Sequence, residues 1–459
     1  MRPTPIRVLA AALGAAIQDE TPITEICTDS RTVTPGSLFV CIEGERLDGH
    51  DFAGEALSRG AAAIVARRPL PLPAEKVFYV PDTMDAHIAL SSAYREQFSL
   101  LSVGITGSVG KTTTKEFTAC VLETRWRTHK TEGNKNNEIG LPQTLFALDE
   151  SAEALVAEMG MDKQGDIDKL AAAVQPDAAV ITHIGTSHIE KLGSRENILQ
   201  AKLEVTRHLP AGAPLILSAD CDLLRAYRDS RLRVIHFGLD ASDADYQAQE
   251  VEAQETGTRF VILHDGEKTP AFIPALGQHN VRDALAAFAV GCELGIRPQE
   301  AAKGLRQYAP SGMRQRRVQI GGITVMEDCY NASPDSMCAA LFTLRELPVT
   351  GERIAVFGDM LELGETSREA HQRVGRLCRE QRVDRLYGFG QETAYMVEAA
   401  KKAGLRQAEH FTDKGELARR LADSVRDGDF IWVKASRSMR FEEILEEFYR
   451  LLKEKQTQE

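Results

Sequence analysis

Residues 104–116 read GITGSVGKTTTKE, between an apolar run at 100–103 and a helical pattern at 117–123. A glycine-rich turn that joins a strand to a helix is the feature that most constrains this chain. In that setting the backbone N–H groups of the turn and of the helix N-terminus converge on phosphate oxygens, and glycine lets the backbone come close to them. Lys111 then reaches the β- and γ-phosphates, and the Thr112 hydroxyl serves Mg²⁺. The spacing departs from the common G-x-x-x-x-G-K-[ST] form. Ile105 stands where the first glycine belongs, and the glycines fall at 104 and 107 instead. We read a variant phosphate-binding loop in which Thr106, Gly107, Ser108, Val109, Gly110, Lys111, Thr112 and Thr113 face a nucleotide. The plain alternative is a glycine-rich turn before an ordinary helix.

At 459 residues the chain has room for about three domains. Its 43% hydrophobic and 27% charged residues are ordinary for globular proteins, so large cores form without staples. The formal net charge of −12, with no basic run, argues against a nucleic-acid partner. Phosphorylated ligands must therefore be met by local Lys and Arg against an unfavourable overall field. The eight cysteines are scattered without a CxxC or a metal-ligand spacing, which points to reduced thiols and a cytoplasmic protein. The opening MRPTPIRVLAAALGAA is broken by Gly14 and reads as an amphipathic helix rather than a signal peptide. No run is long enough for a membrane span, and a monomer is expected.

Residues 1–98 mix short strand-like runs at 38–42, 62–66 and 77–80 with helical pieces. From residue 99, strand-like runs at 101–105, 154–158, 178–184 and 215–218 alternate with helical ones, the pattern of a parallel sheet covered by helices. Residues 220–275 read as hairpins and polar turns, and 281–294 as a helix. The stretch SGMRQRR at 311–317 reads as a basic hinge, either a solvated turn or an anion clamp between domains. Beyond it, strands at 323–326, 353–357, 385–389 and 430–434 alternate with five helices. The expectation is an α/β chain of three domains. These are a small N-terminal α/β domain at 1–98, a central mononucleotide-binding α/β domain at 99–313 and a C-terminal Rossmann-like α/β domain at 314–459.

Ligands of such sheets bind at the carboxyl ends of the strands, and the polar residues fall there. Glu158 ends an apolar strand; it is either a satisfied strand-end carboxylate or a Mg²⁺ ligand, since hard oxygen donors suit that ion. His188 follows the next strand, and Lys202 lies in a helical pattern at 196–209, where an exposed lysine is the bland reading. Asn137, in NKNNEIGLP, and Asn280, in GQHN, each read as a helix cap or as an amide offered to a ligand. Asp29-Ser30-Arg31 places a hydroxyl beside a guanidinium, suited to a phosphate or a sugar hydroxyl, or to a simple turn. Two further polar clusters, EDCYNASP at 327–334 and KASRSMR at 434–440, follow strands in the last third.

Taken in order, these stretches resemble the Mur ligases of peptidoglycan synthesis across nearly the whole chain. The segment DCYNASPDSM, 328–337, is similar to the Tyr-Asn-Ala-Asn-Pro-x-Ser-Met motif of the member that joins D-alanyl-D-alanine to UDP-N-acetylmuramoyl-tripeptide. The Asp-Asn-Pro-Arg motif of the ligase that adds the third amino acid is absent. The resemblance implies an ATP- and Mg²⁺-dependent amide ligase acting through an acyl phosphate. It implies that Lys111 holds the transferring phosphate, that Thr112 and Glu158 bind one Mg²⁺, that His188 helps to bind a second, and that Lys202 is carbamylated. Asn280, Arg314, Asp328, Tyr330 and Asn331 would contact the nucleotide, Ser30 and Arg31 the UDP-sugar, and Lys434, Ser436 and Arg437 the peptide or the incoming dipeptide. Small departures stand at Cys329, Ser333 and Ala435, and Asp283 replaces an Asn shortly after the His-Asn pair. The competing readings are the ligase of the neighbouring step and a nucleotide-binding module without ligase activity.

Overall fold

The computed structural model describes residues 1–459 except Glu45, Asp240, Glu255, Ser311 and Glu459. Besides a two-stranded antiparallel ladder of Thr4–Pro5 with Pro22–Ile23, three larger sheets follow one another along the chain. The first is a parallel sheet of four strands, Glu25–Cys27, Ser37–Val40, Ala63–Ala66 and Val77–Tyr79. The second has nine strands. Its parallel part runs in the order Arg233–Gly238, Pro214–Ser218, Ala178–Ile181, Leu101–Thr106, Ala154–Glu158, Thr128–Lys130. An antiparallel meander, Tyr246–Gln254, Gly257–His264 and Glu267–Ile273, extends it where the sequence suggested hairpins. The third sheet has six strands in the order Arg316–Ile320, Ile323–Asp328, Phe430–Lys434, Arg353–Gly358, Arg385–Phe389, Gln407–Phe411.

The middle strands of the nine-stranded sheet are buried and mostly apolar because both faces are covered. Val103, Ile105, Val156 and Val180 point into a core with the helices Lys111–Leu122 and Gln278–Glu293. Leu155, Ala157, Ala179 and Ile181 point into the opposite core. That second core continues without a break into Ile6, Leu38 and Val65 of the N-terminal sheet. The helix Thr83–Arg95 joins the two: the Tyr94 hydroxyl donates to the Leu148 carbonyl at 2.8 Å and accepts from Arg2 N–H at 2.7 Å. The first sheet is therefore seated on the second rather than tethered to it.

Two expectations change in the third sheet, one at each edge. Residues 312–317 do not form a free hinge, for Arg316 and Arg317 already belong to the edge strand Arg316–Ile320. The Arg316 Nε donates to Glu327 Oε2 at 2.6 Å, so it holds its own sheet rather than an anion. Ser311, the first residue of the expected hinge at 311–317, lies outside the described residues. The strand Gln407–Phe411 is additional: only Ala408 and Phe411 join the core of this edge strand, so its sequence carries no apolar run.

Candidate active site

The strand Leu101–Thr106 runs into a tight turn, and the helix Lys111–Leu122 leaves it. Glycine is required twice there. Gly107 has φ +153° and a Cβ on it would come within 1.9 Å of Thr182 Oγ1; Gly110 has φ +83° and a Cβ would meet Asp283 Oδ1 at 2.4 Å. The turn is pinned to the next strand: Ser108 N–H donates to the His183 carbonyl at 2.8 Å, and Thr182 Oγ1 to the Val109 carbonyl at 2.5 Å. Lys111 folds back over the loop and donates to the Gly107 carbonyl at 2.8 Å. Burial lowers the Lys111 ammonium from the usual lysine range, Glu158 opposes that shift and Arg314 adds to it.

Glu158 ends the neighbouring strand and is 1% exposed. Its Oε1 accepts from Asn136 Nδ2 at 2.7 Å, and its N–H donates to Thr131 Oγ1 at 3.0 Å. Lys115, one turn into the loop helix, is wholly buried and stands 3.7 Å from Glu158 Oε2 and 3.2 Å from Glu116 Oε1, while donating to the Thr131 carbonyl at 2.6 Å. The sequence gives Lys115 no mark, whereas Asn136 belongs to the three-asparagine cluster at 134–137 that reads as cap or ligand. A lysine beside Glu116 on a helix looks like a surface pair until the sheet places Glu158 opposite it. Asn137, the residue chosen from sequence, lines the same cavity but uses its Oδ1 on the N–H groups of Gly140 and Ile139.

Lys202 is not the exposed helix lysine that composition suggests. It is 2% exposed, on the helix Arg195–Leu203. Its amine has no hydrogen-bond or ion-pair partner among the described residues. Burial, and after it the charge of Lys111, pushes it well below the ordinary lysine range. His188 sits at φ +64°, just before the short helix Ile189–Leu192, with Nδ1 3.8 Å from both Asp162 Oδ1 and Glu362 Oε2. Burial, then the charges of Lys202 and Lys111, lowers its pKa, which keeps the imidazole neutral near pH 7.

The third sheet closes the other side. Arg314 lies flat over the Tyr330 ring, its Cζ 3.3 Å from the centroid. Asp328 and Lys434 end paired strands and form a buried ion pair, Nζ to Oδ2 2.8 Å. The Asn280 amide donates to the Leu276 carbonyl and to Gln315 Oε1, each at 2.8 Å. All of these, with Asn331, line one cavity of about 1060 Å³ together with Ser108–Thr113, Glu158, His188 and Lys202. Thr106 and Gly107, at the start of the loop, do not line it. Ser30, Arg31, Ser436 and Arg437 are also outside it. Arg31 is held by Asp29 through contacts of 2.6–3.1 Å, Ser436 Oγ donates to the Asp359 carbonyl at 2.9 Å, and Arg437 pairs with Glu442 at 2.5 Å.

Several buried polar atoms around this cavity lack a hydrogen-bond partner: Glu158 Oε2, His188 Nδ1, Ser108 Oγ and Asp335 Oδ2. Unsatisfied buried groups are costly and mark places where a ligand completes the bonding. Among the described residues no three His, Cys, Asp or Glu side chains form a ready metal cage. A Mg²⁺ ion held by Thr112 and Glu158 would thus take its other ligands from phosphate oxygens and water, as that ion commonly does. The residues present fit such an ion.

Family models match three successive segments: the Mur ligase family catalytic domain at 22–97, the Mur ligase middle domain at 105–291 and the Mur ligase glutamate ligase domain at 313–437. The chain belongs to the Mur ligase family. This Mur ligase is 41% identical over 433 residues to the UDP-N-acetylmuramoyl-tripeptide–D-alanyl-D-alanine ligase of Bacillus subtilis (strain 168), covering 94% of each chain. Its fold matches a crystal structure of MurF from Acinetobacter baumannii with a TM-score of 0.90 at 30% identity, over 98% of this chain and 99% of that one. It also matches MurF ligase from Thermotoga maritima in complex with ADP, with a TM-score of 0.86 at 30% identity, over 94% and 98%.

The Asp328–Lys434 pair yields a stability prediction. Removing one partner of a buried pair leaves the other charge uncompensated, at a cost of about 3–5 kcal/mol. Lys434→Ala is expected to lower the urea midpoint of the unfolding step that reports on Trp432, whose Nε1 also faces Asp328 at 3.4 Å. An unchanged midpoint would mean that the pair does not support this sheet.

Proposed function

We propose that this Mur ligase uses ATP to join D-alanyl-D-alanine to UDP-N-acetylmuramoyl-tripeptide through an acyl phosphate, in the cytoplasmic synthesis of peptidoglycan precursor. The observation that carries the reading is one cavity walled by a phosphate loop on one side and by Arg314, Asp328, Tyr330 and Lys434 of the next sheet on the other. Its support is the high-coverage likeness to ligases of that name.

A carboxylate does not react with an amine at neutral pH because oxide is a poor leaving group. Transfer of the γ-phosphoryl of ATP to the tripeptide's terminal carboxylate solves this. The dipeptide amine then attacks the acyl carbon, and phosphate leaves with both electrons of the C–O bond. Catalysis of these steps is positioning and charge stabilisation. Loop N–H groups hold the phosphates, and Lys111 follows the transferring group. Tyr330 and Arg314 form a flat surface suited to the base, and Asn280 holds the segment that carries Arg314. Thr112, Glu158, His188 and a carbamylated Lys202 would hold Mg²⁺, which supplies neutralisation of phosphate charge when bound. Closure of the third sheet on the loop excludes water from the acyl phosphate. Residues 1–98, with Ser30 and Arg31, take the UDP-sugar, 99–313 the nucleotide and 314–459 the incoming dipeptide through Lys434, Ser436 and Arg437. The chain acts as a monomer. Eight unpaired cysteines accord with a reducing compartment, and no helix among the described residues is long and apolar enough to cross a membrane.

The test is phosphate release with ATP, Mg²⁺ and UDP-N-acetylmuramoyl-tripeptide, with and without D-alanyl-D-alanine. Release that requires the dipeptide, with formation of the pentapeptide product, is expected. Release that needs a single amino acid and a shorter UDP-peptide would move the enzyme to the neighbouring step. Release indifferent to every amine would leave only a nucleotide-binding module.

A further inference from the structure

Gln315 is the last residue before the third sheet, and its backbone and side chain are both unusual. Its φ is +51°, in the left-handed region that a residue such as glutamine rarely adopts. It stands between Arg314, which covers the Tyr330 ring, and Arg316, the first residue of the edge strand. Arg316 pairs with Glu327 on the neighbouring strand, so Arg314 and Tyr330 lie at the same end of one hairpin. The Gln315 side chain leaves this hairpin and crosses to the helix Gln278–Glu293 of the central domain. Its Oε1 accepts from Asn280 Nδ2 at 2.8 Å, and its Nε2 stands 2.5 Å from His279 Nε2.

The direction of these bonds is set at the far end of the relay. The Leu276 carbonyl can only accept, so the Asn280 atom 2.8 Å from it is the amide nitrogen. The same nitrogen donates to Gln315, whose facing atom is therefore the oxygen. The Gln315 nitrogen then donates to His279 Nε2. Burial keeps that imidazole neutral, pushing it down to about 4, so the acceptor persists near pH 7. Both ends of the Gln315 amide are thus bound to one helix turn. A backbone in a sparsely populated region persists where its surroundings fix it, and such residues gather at ligand clamps. The same helix also meets the phosphate loop. One turn further on, Asp283 accepts from Thr114 Oγ1 at 3.2 Å and lies against Gly110. A single helix therefore touches the Arg314–Tyr330 surface through Gln315 and the phosphate loop through Asp283.

We infer that Gln315 is a positioning residue for nucleotide recognition: its amide clamps the Arg314–Tyr330 surface to the helix Gln278–Glu293 and so sets where the base sits relative to the phosphate loop. The inference rests on the nucleotide reading of the cavity, which His279, Asn280, Arg314, Gln315 and Tyr330 line together with the loop. Gln315 acts through Arg314, its neighbour in the chain. Loss of the clamp therefore weakens nucleotide binding only as far as the Arg314 surface contributes to it.

Two comparisons test this, both by calorimetry with ADP in EDTA, without metal. The first sets the wild type beside Gln315→Met and Gln315→Gly. Methionine keeps the length of the side chain and loses both hydrogen bonds. Glycine loses them too but adopts the left-handed backbone freely, so it carries the test where methionine disturbs the fold. Expected is an ADP affinity about tenfold weaker in both variants, the effect of two hydrogen bonds of ordinary strength. Wild-type affinity in Gln315→Gly would overturn the inference, because the amide would then position nothing. The second comparison repeats Gln315→Gly in an Arg314→Lys background, which keeps the charge and removes the flat guanidinium. If Gln315 acts through Arg314, the two losses do not add, and Gln315→Gly weakens ADP by less than about threefold there. A full second loss would show that the substitution damages the cavity at large, and would overturn the inference. A wild type that does not bind ADP would overturn the nucleotide reading itself, whereas a wild type that binds ADP beside variants that bind it equally well would overturn the clamp alone.

Discussion

Replacing Lys111 with alanine is expected to slow phosphate release about a hundred- to a thousandfold, a loss of about 3–4 kcal/mol of transition-state stabilisation. The magnitude follows from where the amine stands. It is tethered 2.8 Å from the Gly107 carbonyl, inside the loop that would hold the phosphates, and burial and Arg314 shift it down while Glu158 opposes them. In a site of low dielectric, one positive group aimed at developing phosphoryl charge counts for far more than the same group in water. The fold should tolerate the change, since among the described residues the amine makes only that one hydrogen bond and the loop remains pinned through Ser108 and Thr182. The check is kcat for phosphate release, alongside the unfolding midpoint. Near-normal turnover in a folded variant would remove the loop from the chemistry.

The parts of this molecule legible in the sequence are those where local pattern and tertiary role coincide. The central strands Leu101–Thr106, Ala154–Glu158 and Pro214–Ser218 are covered on both faces, so their mostly apolar runs mark them without further context. The loop's glycines and Gly-Lys-Thr-Thr mark the phosphate site in the same way. Short edge strands carry no such mark: Thr128–Lys130 is wholly polar and Gln407–Phe411 mostly so, and their pairing partners decide them. Site residues divide along the same line. Glu158 was conspicuous as a carboxylate in an apolar strand. Lys115 was not, because its partner Glu158 lies 43 residues away and only the parallel pairing of the two strands brings them to 3.7 Å. The Asp328–Lys434 pair is a matter of strand register, which sequence spacing does not report. Ser30, Arg31, Ser436 and Arg437 stand outside the cavity in this arrangement, bonded within their own lobes.

Lys202→Ala is expected to be nearly inactive, with a loss at least as large as that of Lys111→Ala, and to recover part of its activity in millimolar formate or acetate. A lysine amine buried to 2% exposure, without an acceptor among the described residues and near the positive charge of Lys111, is poorly placed as a cation. Both effects favour the neutral amine. A neutral amine attacks the carbon of CO₂, forms an N–C bond and releases one proton, which leaves a carbamate. The product carries a negative charge where the cation was unfavourable, and its two oxygens are the hard donors that Mg²⁺ accepts. The carbamate would also offset the charge of Lys111 and remove one of the influences that lower His188. Three measurements bear on this together. Wild-type turnover should fall in thoroughly decarbonated buffer and return with bicarbonate. Lys202→Ala should be indifferent to bicarbonate but respond to the short carboxylates, which place an equivalent pair of oxygens in the space left by the side chain. Lys202→Arg should not be rescued by either, because its guanidinium keeps its charge and fills that space. A fully active Lys202→Ala would rule out the carbamate. An inactive variant that no carboxylate rescues, beside a wild type that ignores bicarbonate, would assign Lys202 to structure instead.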